Sequence, residues 1–354
     1  MSYSDPPPLP PENRLSDAPD GDPWLNLRHL FRFDAQDVAA LASLALMVLF
    51  FSLTADSFFQ ISTITNFLKV NSSLLLMALG LTFVLLCGEI DLSVGAMAVF
   101  AACFCGRLFE DTLLGQWGVL PTLGLAAAIG FLTGLITVWT RLGSFIITLA
   151  VMFILDGAQL FTTGGASKKQ PGFLVQLAQE DLNIGAGLRI PHMTWISLGA
   201  VLVAFFVLRY TRFGRYVYMT GGNREAARLA GIRTHWVLIS VLTISAVCAA
   251  AGGLLHAAKI GQVSAGGNQD LLLPAVACVV LGGTSLFGGV GGVIRTVVGV
   301  CIYGTLDIGL PYVNWIDEEA RRMLLGVVLL GAMILNGLMA QGRFTKWFRR
   351  MTSG

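Results

Sequence analysis

The chain has 354 residues, 55% of them hydrophobic and only 12% charged, with a formal net charge of +2 and a mean hydropathy of +0.72. A soluble domain carries about twice that share of charge, so soluble classes are excluded and a polytopic membrane protein remains. The basic residues are spread over juxtamembrane loops rather than gathered in one patch, so no nucleic-acid partner is expected.

Residues 1–37 form a polar, acidic, proline-rich tail (DPPPLPPENRLSDAPDGDP). No basic start leads into an apolar stretch with a cleavage site, so no removable signal peptide is expected. The tail is predicted to be disordered and cytoplasmic, with an interfacial piece at 24–33. A membrane-spanning helix needs about 20 apolar residues. The candidate spans are 38–56, 66–87, 92–108, 119–140, 144–162, 193–210, 236–258, 270–284, 289–310 and 322–340. That predicts an all-α protein of about ten transmembrane helices, with spans two, three and eight short or broken. The six cysteines, Cys87, Cys103, Cys105, Cys248, Cys278 and Cys301, fall in or beside these segments and read as small buried hydrophobes, without metal spacing.

The second and third spans are separated by Gly88-Glu89-Ile90-Asp91-Leu92-Ser93-Val94-Gly95. Carboxylates this close to hydrocarbon mark a cavity, a pathway or a pairing site. Irregular backbone at membrane depth survives only where protein or water covers it. Two readings stay open for Asp91: a gate residue, or a turn residue whose side chain accepts the Ser93 or Val94 backbone N–H. Further along, 163–191 is the longest hydrophilic stretch between spans, with Lys168-Lys169 and Glu180-Asp181. It reads as an external docking surface or a plain surface loop. The polar residues within spans, Asp156, His256, Arg295 and Asp307, read as pairing or interfacial groups, or as path-lining ones.

The loop 211–235 carries Arg212, Arg215, Arg224, Arg228 and Arg233. Short arginine-rich loops stay in the cytoplasm, which predicts that both termini are cytoplasmic, in keeping with the basic tail 341–354. Within the loop GGNREAARLAGI reads as a short helix. Asn223 is its N-cap, Glu225 lies in the first turn where the dipole favours an anion, and Gly231 is its stop. A second interruption, Leu281-Gly282-Gly283-Thr284-Ser285-Leu286-Phe287-Gly288-Gly289-Val290-Gly291-Gly292, allows close helix approach, with hydroxyls to satisfy freed backbone groups. Both interruptions share a G-x3-L-x2-G frame, Gly88/Leu92/Gly95 and Gly282/Leu286/Gly289, which predicts an internal repeat with the pathway at its interface.

Glu225-Ala226-Ala227 followed by Gly231 resembles the EAA loop of ABC-importer permeases, whose short helix docks on the ATPase subunit. The lead-in TRFGR and GGN, the string GEIDLSVG and the string LGGTSLFGG resemble the ribose-type sugar permeases in particular. The resemblance covers nearly everything after residue 40, with its strings in the family's order. One stretch departs from it. Where the family tends to carry an acidic Asp-Ala-Ile-Ala-like segment, this chain reads Asp270-Leu271-Leu272-Leu273-Pro274-Ala275-Val276-Ala277.

The resemblance implies a transport subunit in a bacterial inner membrane, with no enzymatic activity and no cofactor of its own. Its expected partners are a separate ABC ATPase, a periplasmic sugar-binding protein and a second permease subunit, identical or related. The absence of any G-x-x-x-x-G-K-[ST] string agrees with a separate ATPase. The carried solute would be a monosaccharide or related polyol. Arg215, Gly222, Asn223, Glu225, Ala226, Ala227 and Gly231 would couple to the ATPase. Gly88, Glu89, Asp91, Ser93, Gly95, Gly282, Gly283, Thr284 and Ser285 would line or gate the path. Two alternatives remain: an ion-coupled secondary transporter using Glu89 and Asp91, or an ABC permease for another solute, such as branched-chain amino acids or nucleosides.

Overall fold

A computed structural model describes residues 35–54, 58–185, 188–266 and 271–313, with isolated positions between 317 and 331. Residues 1–34, Asp270, the tail 341–354 and most of the predicted span 322–340 lie outside the described residues.

Twelve α-helices are delimited among the described residues, in chain order: α1 (Ala35–Thr54), α2 (Ile61–Leu86), α3 (Val94–Asp111), α4 (Val119–Thr140), α5 (Ser144–Thr163), α6 (Gly172–Gln179), α7 (His192–Tyr210), α8 (Arg212–Gly222), α9 (Arg224–Leu229), α10 (Thr234–Ile260), α11 (Leu272–Leu281) and α12 (Val293–Gly309). Among the described residues, six segments are long and apolar enough to cross a membrane: α2, α4 with its leading 3-10 turn, α5, α7, α10 and α12 with its trailing one. The helices α1, α3 and α11 occupy three further predicted segments. The chain is therefore an all-α, multi-pass membrane protein.

The centre is α10, packed against α2, α3 and α4. No aqueous driving force pulls helices together in lipid, so close approach depends on small residues. Helix α4 supplies them in a G-x-x-x-G pair. A Cβ on Gly130 would lie 2.6 Å from the Ala246 Cβ, and one on Gly134 2.7 Å from the Ile239 Cα, both on α10. The α10 glycines do the same in the other direction, Gly252 against α2 at Met77 and Gly253 against the α3 backbone at Ala98. Phe145, Ile146, Phe153, Ile154 and Phe161 leave much of α5 apolar and exposed, as a lipid-facing surface requires.

The predicted loop 163–191 is structured. Two-residue strand β1 (Lys168–Lys169) pairs antiparallel with β4 (Gln262–Val263), and β2 (Asp181–Gly185) pairs with β3 (Leu188–Pro191). Between them α6 buries Leu174 and Ala178 beside Leu254, Leu255 and Ala258 of α10. Lys168 bridges Glu110 at 3.1 Å and Asp111 at 3.0 Å, at the end of α3. These hydrogen bonds, Asp111's first, raise the Lys168 pKa. All of this lies at the end of the bundle opposite α8 and α9.

Candidate translocation and coupling site

The segment between α2 and α3 leaves helical geometry, exposing Gly88 and Ile90 but burying Asp91 and Ser93. Helix α2 ends in a Schellman turn: the Glu89 amide donates to the Val84 carbonyl at 3.1 Å, that of Gly88 to Leu85 at 2.9 Å. Gly88 takes φ +75°, left-handed space that a Cβ penalises. The chain then turns back into the protein. Asp91 meets Ser245, which lies eleven residues, or about 16 Å, along α10 from its Thr234 start. The break thus reaches well below the surface rather than forming only an end-of-helix turn.

Its freed backbone groups find hydroxyl partners on α5. Ser144 Oγ accepts from the Ile90 amide at 3.1 Å and Thr148 Oγ1 from the Leu92 amide at 3.1 Å. The spacing has a geometric reason. An i to i+4 step on a helix rises about 6 Å, close to the span of two residues of nearly extended chain. Asp91 faces the other way and is 2% exposed. Its Oδ1 accepts the Ser93 amide at 2.9 Å and the Ser93 hydroxyl at 2.6 Å, and its Oδ2 accepts the Ser245 hydroxyl at 2.7 Å. The turn reading holds for Ser93, and α10 adds a partner that local sequence does not reveal. Gly95, one residue into α3, lets Leu272 of α11 come against its backbone.

The second break is built alike at its start. Helix α11 also ends in a Schellman turn, with the Thr284 amide donating to Val279 at 3.2 Å and that of Gly283 to Val280 at 2.9 Å; Gly283 has φ +91°. The matching positions are therefore Gly88 and Gly283, one residue out of the predicted frame. In that frame Gly88 would match Gly282, which keeps a right-handed φ of −67°. Pro274 stands in the first turn of α11, where its missing N–H has no intrahelical acceptor to lose. Beyond the cap Thr284 is fully buried against Gly291, and Ser285 Oγ accepts the Phe287 amide at 3.1 Å.

The arginine-rich loop is two helices. The second, α9, follows expectation: Asn223 Oδ1 accepts the Ala226 amide at 2.9 Å, Glu225 lies in the first turn, and Gly231 takes φ +83° after the last turn. Ala227 is buried, whereas Glu225, Arg228 and Leu229 point outward, with Arg228 donating to Glu225 at 2.7 Å. The first, α8, forms where the sequence predicts no helix; it carries Arg215 on its exposed side and buries Val217. Phe213 stacks with Phe83 of α2, and Tyr218 donates to the Gly291 carbonyl at 3.0 Å.

The three strings meet at one place. The Gly289 amide donates to the Leu86 carbonyl at 2.9 Å, joining the second break to the first. Gly221 presses on the same Leu86 carbonyl so closely that no Cβ fits. A Cβ on Gly289 would lie 2.8 Å from the Gly222 Cα. Arg224, opening α9, pairs with Glu89 of the first break. Burial works against the Arg224 charge, yet the Glu89 hydrogen bond and charge outweigh it and raise its pKa. Of the other polar residues inside spans, Asp156 accepts from Gln159 Nε2 at 3.1 Å, and Arg295 donates to the Gly283 carbonyl at 3.4 Å.

Residues 63–333 match the profile of a family described as "Branched-chain amino acid transport system / permease component". The chain is similar to the ribose import permease protein RbsC of Escherichia coli K12, 33% identical over 301 residues, 84% of this chain and 92% of that protein. It is also similar to the autoinducer 2 import system permease protein LsrC of Salmonella typhi, 31% identical over 310 residues, 87% and 88% of the two chains. A third relative is the inner membrane ABC transporter permease protein YjfF of Escherichia coli K12, 32% identical over 293 residues, 82% and 87%. No solved structure matches.

Proposed function

This chain belongs to the permease family of branched-chain amino acid transport systems, and from that premise we propose that it is the membrane-spanning subunit of an ATP-binding-cassette importer for a monosaccharide or related polyol. Relatives named for ribose and autoinducer 2 import support the sugar reading over an amino-acid one. ATP hydrolysis belongs to a separate ATPase, substrate arrives on a periplasmic binding protein, and a second permease chain completes the path in a bacterial inner membrane. Ten spans, cytoplasmic termini, and a permease domain at 38–340 between an acidic tail at 1–37 and a basic tail at 341–354 complete the picture.

The observation that carries this reading is the two-sidedness of α9. Its inner side buries Ala227 and pairs Arg224 with Glu89 of the first break, while its outer side presents Glu225, Arg228 and Leu229, the last 80% exposed. A short helix with an exposed apolar residue and an ion pair suits docking on another protein. ATP-driven movement of that partner would shift α8 and α9 and, through them, Gly88–Gly95 and Gly282–Gly292. Asp91, Ser93, Thr284 and Ser285 would then act at the gate. Replacing Glu225 with Lys reverses a first-turn charge, a loss of about 0.3–1 kcal/mol of helix stability, and sets like charges beside Arg228. Insertion should be normal, uptake into vesicles lost, and ATPase co-purification weak. Wild-type uptake by this variant, or uptake driven by an ion gradient with no ATPase present, would refute the proposal.

A further inference from the structure

We infer that the Arg224–Glu89 pair is the clasp that sets the register between the docking helix and the unwound segment, making Arg224 a positioning residue and Glu89 its receiver rather than a path-lining group. The inference rests on the ABC-permease reading above and names how that site is held.

Apart from the Tyr218–Gly291 hydrogen bond, which ties α8 to the second break, the contact between the loop helices and the breaks is made largely of bare backbone. Gly221 and Gly222 of α8 meet Leu86, Gly88, Gly288 and Gly289 with no side chain between them. Glycine-on-glycine surfaces fit closely but lack the interlocking side chains that fix one helix against another. Helix α9 itself buries a single side chain, Ala227. With so little of α9 buried, a directional contact is needed to hold its position beside the first break, and the ion pair supplies it. Both partners are anchored at the backbone. Glu89 is held by the Schellman turn through its own amide, and Arg224 follows immediately on the Asn223 cap. The Glu89 side chain is only 11% exposed and the Arg224 side chain 48%, so the carboxylate lies on the protein side and the guanidinium reaches in from the loop. Two residues beyond Glu89, Asp91 is pinned to Ser245 of α10. A displacement of α9 therefore pulls on Glu89 while Asp91 stays held by α10, and the segment between them takes up the strain.

The test compares wild type, Glu89→Gln, Arg224→Gln and the reversed pair Glu89→Arg/Arg224→Glu, each purified with its ATPase and reconstituted with binding protein. In the single variants the complex should assemble and hydrolyse ATP while uptake falls about tenfold, so that more ATP is spent per molecule imported; the reversed pair should recover most of the loss. Wild-type coupling in both single variants would overturn the inference. So would loss of uptake in step with loss of assembly, which makes the pair a structural brace only. Should the reversed pair fail to assemble, Arg224→Lys decides, with coupling near wild type in support and loss as deep as Arg224→Gln against. Failure of the wild type to bind any ATPase would instead strike the permease reading itself.

Discussion

Asp91 is a buried carboxylate whose partners are hydroxyls and one amide, with no cation among them. That arrangement asks for acceptor atoms more than for a charge. Asp91→Asn keeps an oxygen for Ser93, and the Ser245 hydroxyl can turn to accept from the new amide. Asp91→Leu leaves the Ser93 amide and two hydroxyls without partners, at roughly 1–3 kcal/mol for each group that water cannot reach. The Asn variant should melt near the wild type in detergent and retain uptake, and the Leu variant should lose both. Failure of both in transport, with the fold intact, would show that the charge itself is required. Equal and normal transport would move the gate to Thr284 and Ser285. Half of this site is legible in the sequence, because an Asp two residues before a Ser amide is a local motif. Ser245, more than 150 residues away, has no local signal.

At the scale of elements, the α5 hydroxyls are what allows a non-helical stretch to sit inside the bundle. Backbone amides left unpaired in an apolar interior are costly, and Ser144 and Thr148 remove that cost at Ile90 and Leu92. Replacing them together by Ala and Val should lower stability by roughly 1–3 kcal/mol for each orphaned amide. Hydrogen exchange should quicken at those two amides while Ser93, bonded to Asp91, stays protected. Exchange as slow as in the wild type would mean that other acceptors take over. The breaks themselves are legible as glycine and carboxylate clusters in apolar runs, and α9 as a capped helix. Helix α8 is not. Its sequence RFGRYVYMTGG holds three glycines and several β-branched or aromatic residues, poor helix formers. Docking of Phe213 and Val217 on the α2–α10 core overrides that propensity. Letter spacing aligns Gly88 with Gly282, while the feature the two breaks share is a left-handed residue after each helix, at Gly88 and Gly283.

For the whole molecule the remaining question is which end faces the cytoplasm. Exposed tryptophans mark two levels: Trp117 and Trp195 near the β1–β4 end, Trp139 and Trp236 near the α8–α9 end. Indoles favour the interfaces of a bilayer, and the twenty-two residues from Trp117 to Trp139 span about 33 Å of helix, near the thickness of the hydrocarbon core. The tryptophans set the thickness but not the direction; the arginines set the direction. Arg209, Arg212, Arg215, Arg224, Arg228 and Arg233 cluster at one end, the end that the proposed function puts in the cytoplasm, in keeping with the bias of arginine-rich loops to stay inside. Lys168 at the other end is held by Glu110 and Asp111, so its charge is locally balanced and does not oppose this orientation. Single cysteines at Lys169 and Arg228, both exposed, test it. Cys87, Cys103, Cys105 and Cys278 are buried and Cys248 and Cys301 partly so, which keeps the native background low for an impermeant thiol reagent. In intact spheroplasts Lys169→Cys should label and Arg228→Cys should not; after permeabilisation both should. The reverse order of labelling would invert the molecule, put α9 out of reach of any cytoplasmic ATPase, and remove the basis for the clasp as a coupling device.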